Sequence, residues 1–331
     1  MTDKIRIWCD LFNPVNMAGV GGPNTFASNF IRYAELTGNF EIDPDYPDIY
    51  MATADLPANP PPGTKKVVHR LDGTYMRDTP DAKTVQSRIR ANFDMSDGVI
   101  YQSGFSKKLA DRYIRPTGKK RHAIIYNGVD TRLYYPTSLV CNEHPVIGLH
   151  GNIRHIEQLS GAVKTWRILV NRNPSFARSQ LRIMGDIRLP LTGTPLRLGN
   201  LRLDWPGLHI VPASKEPDRI RSFLTSLDVY LHTRSADPCP NAVLEAMACG
   251  VPVATWHGSG GAIELVLGGT RPSAVPDLPD GSYTEEPDPK ELATEVSVLY
   301  ESGPVRYDMT NLTLTRMGDR YHEFMGRLLH G

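Results

Sequence analysis

The sequence predicts an α/β protein built from two doubly wound domains, and three observations carry that expectation. Short β-rich runs alternate with helical periods, the alternation breaks once near residue 140 and resumes, and 331 residues with 40% apolar content suffice for two cores of about 150 residues each. No tract resembles a linker or low-complexity segment, and no internal repeat appears beyond the shared βα rhythm.

In the first half the β-rich runs are IRIWC (5–9), DIYMATA (48–54), KVVHRL (66–71), GVIYQS (98–103) and AIIYN (123–127). Helical periodicity fits 24–36, 84–95 and 106–114 between them, as a parallel sheet with crossover helices requires. DTRLYYPTSLVCNEHP interrupts the pattern. It restarts with PVIGLHG, a helix near 160–171, QLRIMG, LHIVP, a helix near 217–226, DVYLHT, a further helix from about 240 and VPVAT. The expected units are therefore 1–140, 141–310 and a closing segment, 311–331. In that segment Leu314, Met317, Tyr321, Phe324 and Leu328 recur at three- and four-residue spacing, which predicts an amphipathic helix crossing back to the N-terminal domain.

Bulk properties narrow the function. Thirty-seven basic residues against 36 acidic ones give a net charge of +1, so no large field attracts nucleic acid and obligate DNA binding is disfavoured. Cys9, Cys141, Cys239 and Cys249 show no CxxC spacing, which suits buried free thiols in a reducing cytoplasm. MTDKIRIWCDLF has no cleavable signal pattern, and no apolar run approaches the roughly 20 residues that span a bilayer; a soluble, cytoplasmic protein is expected.

The stretch DPCPNAVLEAMACGVPVAT (237–255) holds the most informative residue. From Ala242 to Cys249 everything but Glu245 is apolar or small, so the helix is covered on most sides and its one carboxylate needs a donor, a neutralising charge or a ligand. Pro240 suits the first helical turn and Gly250 the position just past the end. Glu245 then lies about 8 Å along the axis from the helix start, with Asp237 on the loop ahead. Two carboxylates thus bracket a helix N-terminus, an arrangement matched by a sugar–diphosphate–ribose, whose phosphates the terminus favours and whose hydroxyls the carboxylates accept. Taken singly, Asp237 reads equally as a loop or capping residue and Glu245 as half of an ion pair. Downstream, VPVATWHGSGGAIELV orders a strand, a glycine turn (Gly258, Gly260, Gly261) and a helix, a second candidate anion site or a plain tight turn, with Glu264 placed to complement the helix dipole.

These residues resemble the GT-B glycosyltransferases of the retaining GT4 type, glycosyl transferases group 1. The family pattern is an acidic residue, seven others, Glu-Ala-Met-Ala-x-Gly-x-Pro-Val and a Gly-Gly-x-x-Glu turn; here it is Asp237 to Glu245, EAMACGVPV (245–253) and GGAIE (260–264). GVGGPNTFASNFIRYAEL (19–36), YQSGFSKKLADRY (101–113) and IIYNGVDTRLYYP (124–136) look like its first-domain segments, so the likeness covers most of the chain in order. It implies two Rossmann-like domains facing across a cleft, and transfer of a sugar from a nucleotide-diphosphate sugar with retained configuration, without a metal or other cofactor. Glu245 would bind the nucleotide ribose and Asp237 lie near the donor sugar. Gly21 and Gly22 would sit across the cleft, and Gly260 and Gly261 would offer amides to the diphosphate or sugar. Asn152, Lys215, Asn241, Ala242, Gly258 and Glu264 complete the expected donor set.

Three departures stand out. Asp237 and PCPN replace the family's Glu and glycine-containing turn, and the two prolines remove two N–H groups. Asn152 stands where the family's diphosphate-clamping Arg is expected, and HGNIRHIEQLSG has no lysine, leaving Arg154 as the best substitute, with His155 behind it and Lys215 or Arg188 as the other residues that could take over the role. For the family's first-domain histidine, KVVHRLDGTY offers both His69 and Asp72, although Arg70 and Asp72 share a strand face and can simply pair. The catalytic candidates are Asp237, Asp72, His69 and Arg154. Asp43 and Asp45 form a DxD outside every matched segment. A sugar-nucleotide epimerase and a non-catalytic nucleotide-sugar-binding protein are the alternatives. A glycan, a lipid-linked sugar, a metabolite, a protein and a modified nucleobase all suit such a cleft as acceptor, and nothing in the sequence selects an oligomeric state.

Overall fold

In a computed structural model of the chain, the described residues are 4–13, 22–53, 58–73, 80–137, 142–153, 155–187, 197–198, 201–268 and 286–331. The first sheet has six parallel strands: β1 (Ile5–Trp8), β2 (Phe40–Ile42), β3 (Ile49–Thr53), β4 (Lys66–Leu71), β5 (Gly98–Tyr101) and β6 (Arg121–Ile124), in the order β2-β1-β3-β4-β5-β6. Helices α1 (Gly22–Thr37), α2 (Pro80–Met95) and α3 (Gly104–Tyr113) accompany them. IYMAT of β3 is buried along its whole length, as expected of a strand covered on both faces.

The second sheet is also parallel. It contains β7 (Val146–Ile153), β8 (Gln180–Ile187), β11 (Leu208–Pro212), β12 (Val229–Leu231) and β13 (Val253–Ala254) in the order β11-β8-β7-β12-β13. A short antiparallel pair, β9 (Arg197–Leu198) and β10 (Leu201–Arg202), lies outside it. The helices here are α4 (Ile156–Arg172), α5 (Pro217–Leu224), α6 (Asn241–Ala248), α7 (Gly261–Val266) and α8 (Pro289–Ser302). The sequence reading did not anticipate α8, although its start is conventional: Pro289 occupies the first turn and Asp288 accepts from the amides of Lys290 and Glu291.

The final helix, α9 (Leu314–His330), buries Leu314, Met317, Tyr321, Phe324 and Leu328 in the core of the first sheet beside Phe26 and Phe30 of α1. It crosses back to the N-terminal domain as its periodicity predicts. Among the described residues no helix is long and apolar enough to cross a membrane. Cys9, Cys239 and Cys249 are buried free thiols, and Cys141 lies outside the described residues.

Candidate donor and acceptor cleft

In open parallel sheets the ligand crevice lies at the carboxyl ends of the strands where the strand order reverses. For the second sheet that point falls between β7 and β12. His150 and Asn152 stand near the carboxyl end of β7, and the chain leaving β12 runs through Asp237 into α6.

Five of the eight residues of α6 are buried in a core cluster: Val243, Leu244, Ala246, Met247 and Ala248. Asn241, Ala242 and Glu245 are the three that are not, and their spacing puts them on one helix face. At the start, Val243 and Leu244 donate their amides to the Pro240 carbonyl, while those of Asn241 and Ala242 find no acceptor among the described residues. At the end, Gly250 adopts φ 76°, and the Gly250 and Val251 amides return to the Met247 and Ala246 carbonyls. Pro240 is therefore the residue before the helix, and Gly250 is where the sequence placed it.

The side chain of Glu245 is 13% exposed and has one partner among the described residues, His150 Nε2, 2.7 Å from Oε2. Oε1 has no hydrogen-bond partner among the described residues. Burial, aided by the Glu245 charge, pushes the nearby Tyr134 and Tyr230 hydroxyls above the ordinary tyrosine range and keeps them protonated donors.

The loop carrying Asp237 is stitched to the glycine turn. Ala236 adopts φ 48°, rare for a residue with a side chain, and donates its amide to the Gly258 carbonyl. Asp237 pairs with Gly260, and Gly261 donates its amide to the Asp237 carbonyl at 2.7 Å. A Cβ on Gly260 would sit 2.9 Å from the Asp237 backbone, one on Gly261 1.9 Å from the Pro238 carbonyl, and one on Gly258 2.2 Å from the Trp256 ring. This corrects the expectation for Gly261: its amide is committed inside the protein, and the glycines admit the close approach of a second loop. Asp237 is buried except for an edge, with Oδ2 3.3 Å from the half-exposed guanidinium of Arg234.

Glu264 also departs from expectation. Its carboxylate is 1% exposed and accepts from the amides of Gly104 (2.9 Å) and Phe105 (2.6 Å) and from the Tyr126 hydroxyl (3.1 Å). Ser106 and Lys107 donate to the Ser103 hydroxyl and carbonyl. All four amides at the start of α3 are thereby satisfied, two of them by a carboxylate from the other domain. Glu264 is a strut between domains, with both oxygens committed to protein donors.

On the first-domain side a polar chain spans the interface. Arg70 is buried, lies over the Phe26 ring, and donates to Tyr321 (3.1 Å), Asn127 (2.9 Å) and Asp72. Gln102 also donates to Asp72, at 2.8 Å. Asn127 donates across the interface to the Cys239 carbonyl (3.1 Å) and to Asn241 Oδ1 (2.9 Å), and the Asn241 amide group reaches the Gly22 carbonyl at 3.5 Å. Asp72 therefore pairs with Arg70 and stands beside the Asp237 loop, where a Cβ on Gly73 would lie 3.2 Å from Pro238.

His69 is corrected as a catalytic candidate. Strand alternation turns it to the face opposite Arg70, it has no exposed surface, and neither ring nitrogen has a hydrogen-bond partner. Burial pushes its pKa down to about 3, so the ring is neutral. His232 is similarly buried and pushed down to about 4, while exposed His257 holds Glu291 at 2.6 Å. Lys215 lies exposed in the loop after β11. Arg154, Arg188 and Gly21 lie outside the described residues. Asp43 accepts from the amides of Asp45 and Tyr46, so the DxD is an exposed turn. His150, Arg234 and Asn127 were not singled out in the sequence; only the contacts of the folded chain bring them to the cleft. A cavity of about 530 Å³ lined by Arg121, His122, Phe324 and Arg327 lies at the amino end of β6, away from this site.

Residues 144–302 match the family model described as glycosyl transferases group 1. No curated protein sequence matches the chain. Sucrose-phosphate synthase from Thermosynechococcus elongatus superposes with a TM-score of 0.60 at 14% identity, over 99% of this chain and 95% of that one. HepE from Anabaena, in complex with UDP and glucose, gives a TM-score of 0.59 at 16% identity over 98% and 99%. The E. coli trehalose-6-phosphate structure bound with UDP-2-fluoro glucose gives 0.54 at 12% over 97% and 81%. The shared architecture is GT-B: two Rossmann-like domains, each built on a parallel sheet.

Proposed function

We propose that this chain, whose residues 144–302 match the family model described as glycosyl transferases group 1, is a glycosyltransferase that moves a hexose or related sugar from a nucleoside-diphosphate sugar held on α6 to an acceptor held by the first domain. Transfer retains the anomeric configuration and uses no metal ion. The observation that carries this reading is the partly exposed face of α6, where Asn241, Ala242 and Glu245 stand together at the reversal point of the second sheet.

Each part of a nucleotide sugar has a complement there. Glu245 Oε1 accepts from the ribose hydroxyls. The amides of Asn241 and Ala242, which have no acceptor among the described residues, meet the diphosphate, where the helix adds about half a positive charge. Lys215 and Arg154 supply further charge to the phosphates, and Asp237, held by Arg234, lies beside the sugar with Gly22 across the cleft. Asp72 faces the acceptor. As the glycosidic bond breaks, negative charge accumulates on the departing diphosphate, so donors already aimed at it lower the barrier. HepE and the E. coli protein were solved with UDP or a UDP-sugar derivative, which makes UDP-sugars the first donors to test.

A thermal-shift screen against UDP, GDP, ADP and their sugars tests the reading. Stabilisation by at least one nucleoside diphosphate is expected, followed by slow donor hydrolysis without acceptor. No stabilisation by any of them contradicts it, and an epimerised donor recovered without acceptor replaces transfer with epimerisation.

A further inference from the structure

We propose that His150 is a positioning residue for nucleotide recognition: it holds the Glu245 carboxylate so that a single oxygen, Oε1, is presented to the ribose. This inference rests on the reading above that Glu245 takes the ribose, and it adds a residue from a different strand.

Four observations converge on it. His150 Nε2 lies 2.7 Å from Glu245 Oε2, and the imidazole is 6% exposed. The ring is packed edge-on against Tyr230 at 5.5 Å between centroids, with Phe223 at 6.4 Å. Nδ1 is buried without a hydrogen-bond partner, so the ring makes its one bond to Glu245. Oε1 has no partner among the described residues.

The chemistry follows from the donor inventory. A carboxylate on a flexible glutamate side chain can rotate, and two equivalent oxygens blur the direction from which a hydroxyl is accepted. Nε2–H donates to Oε2, which removes that oxygen from competition and fixes the plane of the group. Nδ1 makes no hydrogen bond that could pull the ring another way, so the imidazole is directed by its packing and by Glu245 alone. Strand β7 and the aromatic packing set the imidazole; the imidazole sets Glu245. The carboxylate thus arrives oriented before nucleotide binds, and less ordering is required on association.

The test measures calorimetric affinities for UDP, GDP and ADP, each alongside its 2′,3′-dideoxy counterpart, in wild type, His150→Leu and His150→Gln. Wild type is expected to prefer at least one ribonucleotide over its dideoxy form by tenfold or more. His150→Leu is expected to lose about tenfold in affinity for that ribonucleotide, the scale of one charge-assisted hydrogen bond, while its affinity for the dideoxy form stays within about twofold. His150→Gln places an amide N–H near the position of Nε2 and is expected to recover to within about threefold of wild type. A merely structural defect would weaken both nucleotides alike. If wild type discriminates and His150→Leu discriminates equally well, or loses both nucleotides equally, the positioning role is overturned while the ribose site stands. If wild type binds ribo and dideoxy forms equally, or binds none, the ribose reading itself fails and this inference with it.

Discussion

Glu245 and Glu264 look alike in the sequence, each a lone carboxylate on a short helix packed into the second domain, and the structure gives them opposite employment. Glu264 has three donors on its two oxygens and is 1% exposed. Glu245 has one donor on one oxygen and none on the second among the described residues. A buried carboxylate saturated by protein donors is structural; one left half-satisfied at the edge of a crevice is prepared for a ligand. The difference lies in their partners, which come from α3 and Tyr126 in one case and β7 in the other.

The largest expected effect separates the two on stability. Glu264→Ala leaves two helix amides and a tyrosine hydroxyl without their acceptor across a domain interface, so a loss of about 3–5 kcal/mol in urea unfolding is expected. Glu245→Ala is expected to lose less than about 2 kcal/mol, because His150 alone is deprived. Equal losses would erase the distinction.

Next is Gly261→Ala. A methyl group there meets the Pro238 carbonyl and must displace the Asp237 loop, so about 1–3 kcal/mol of stability is expected to go together with transfer activity. Nucleotide affinity at Glu245 is expected to change less than transfer, as measured by separate binding and turnover assays.

Two histidines extend the contrast. His69 is buried without partners and pushed down to about 3, below the ordinary histidine value of 6.5, so the folded chain binds fewer protons than the unfolded one in acid. Its contribution to stability is complete above about pH 6.5 and is lost as pH falls toward 3, at up to about 1.4 kcal/mol per pH unit. His69→Leu is therefore expected to flatten the acid limb of the stability curve by about one proton, with activity at neutral pH retained. His232, pushed down to about 4, adds to that limb, as does Asp48, whose carboxyl is held down to about 2 by Arg6. Loss of transfer in a folded His69→Leu protein would return this residue to the catalytic set. The smallest effect is expected at the exposed DxD turn: Asp43→Ala with Asp45→Ala should leave donor affinity and turnover within about twofold, and stability within about 1 kcal/mol.

Much of this was legible in the sequence because it rests on local pattern. The βα alternation gave two parallel sheets, the spacing from Leu314 to Leu328 gave α9, and one charge within an apolar octet singled out Glu245. Partners distant in sequence were not legible. The amides on Glu264 lie 159 and 160 residues upstream, and His150 lies 95 residues from Glu245. Alternation along KVVHRL puts His69 and Arg70 on opposite faces, but only packing decides which face reaches the cleft. For the same reason a glycine pair announces a close approach without saying whether a phosphate or, as with Asp237 and Pro238, another loop makes it.

Titration calorimetry of Glu245→Ala with the nucleoside diphosphate that wild type binds tests the central claim most directly, with Asp237→Ala alongside. The expected result is an affinity loss of about 30-fold or more for Glu245→Ala, roughly 2 kcal/mol for hydroxyl bonds to a charged group. Asp237→Ala should bind within about threefold of wild type and fail in transfer. Undiminished nucleotide binding by folded Glu245→Ala would contradict the account.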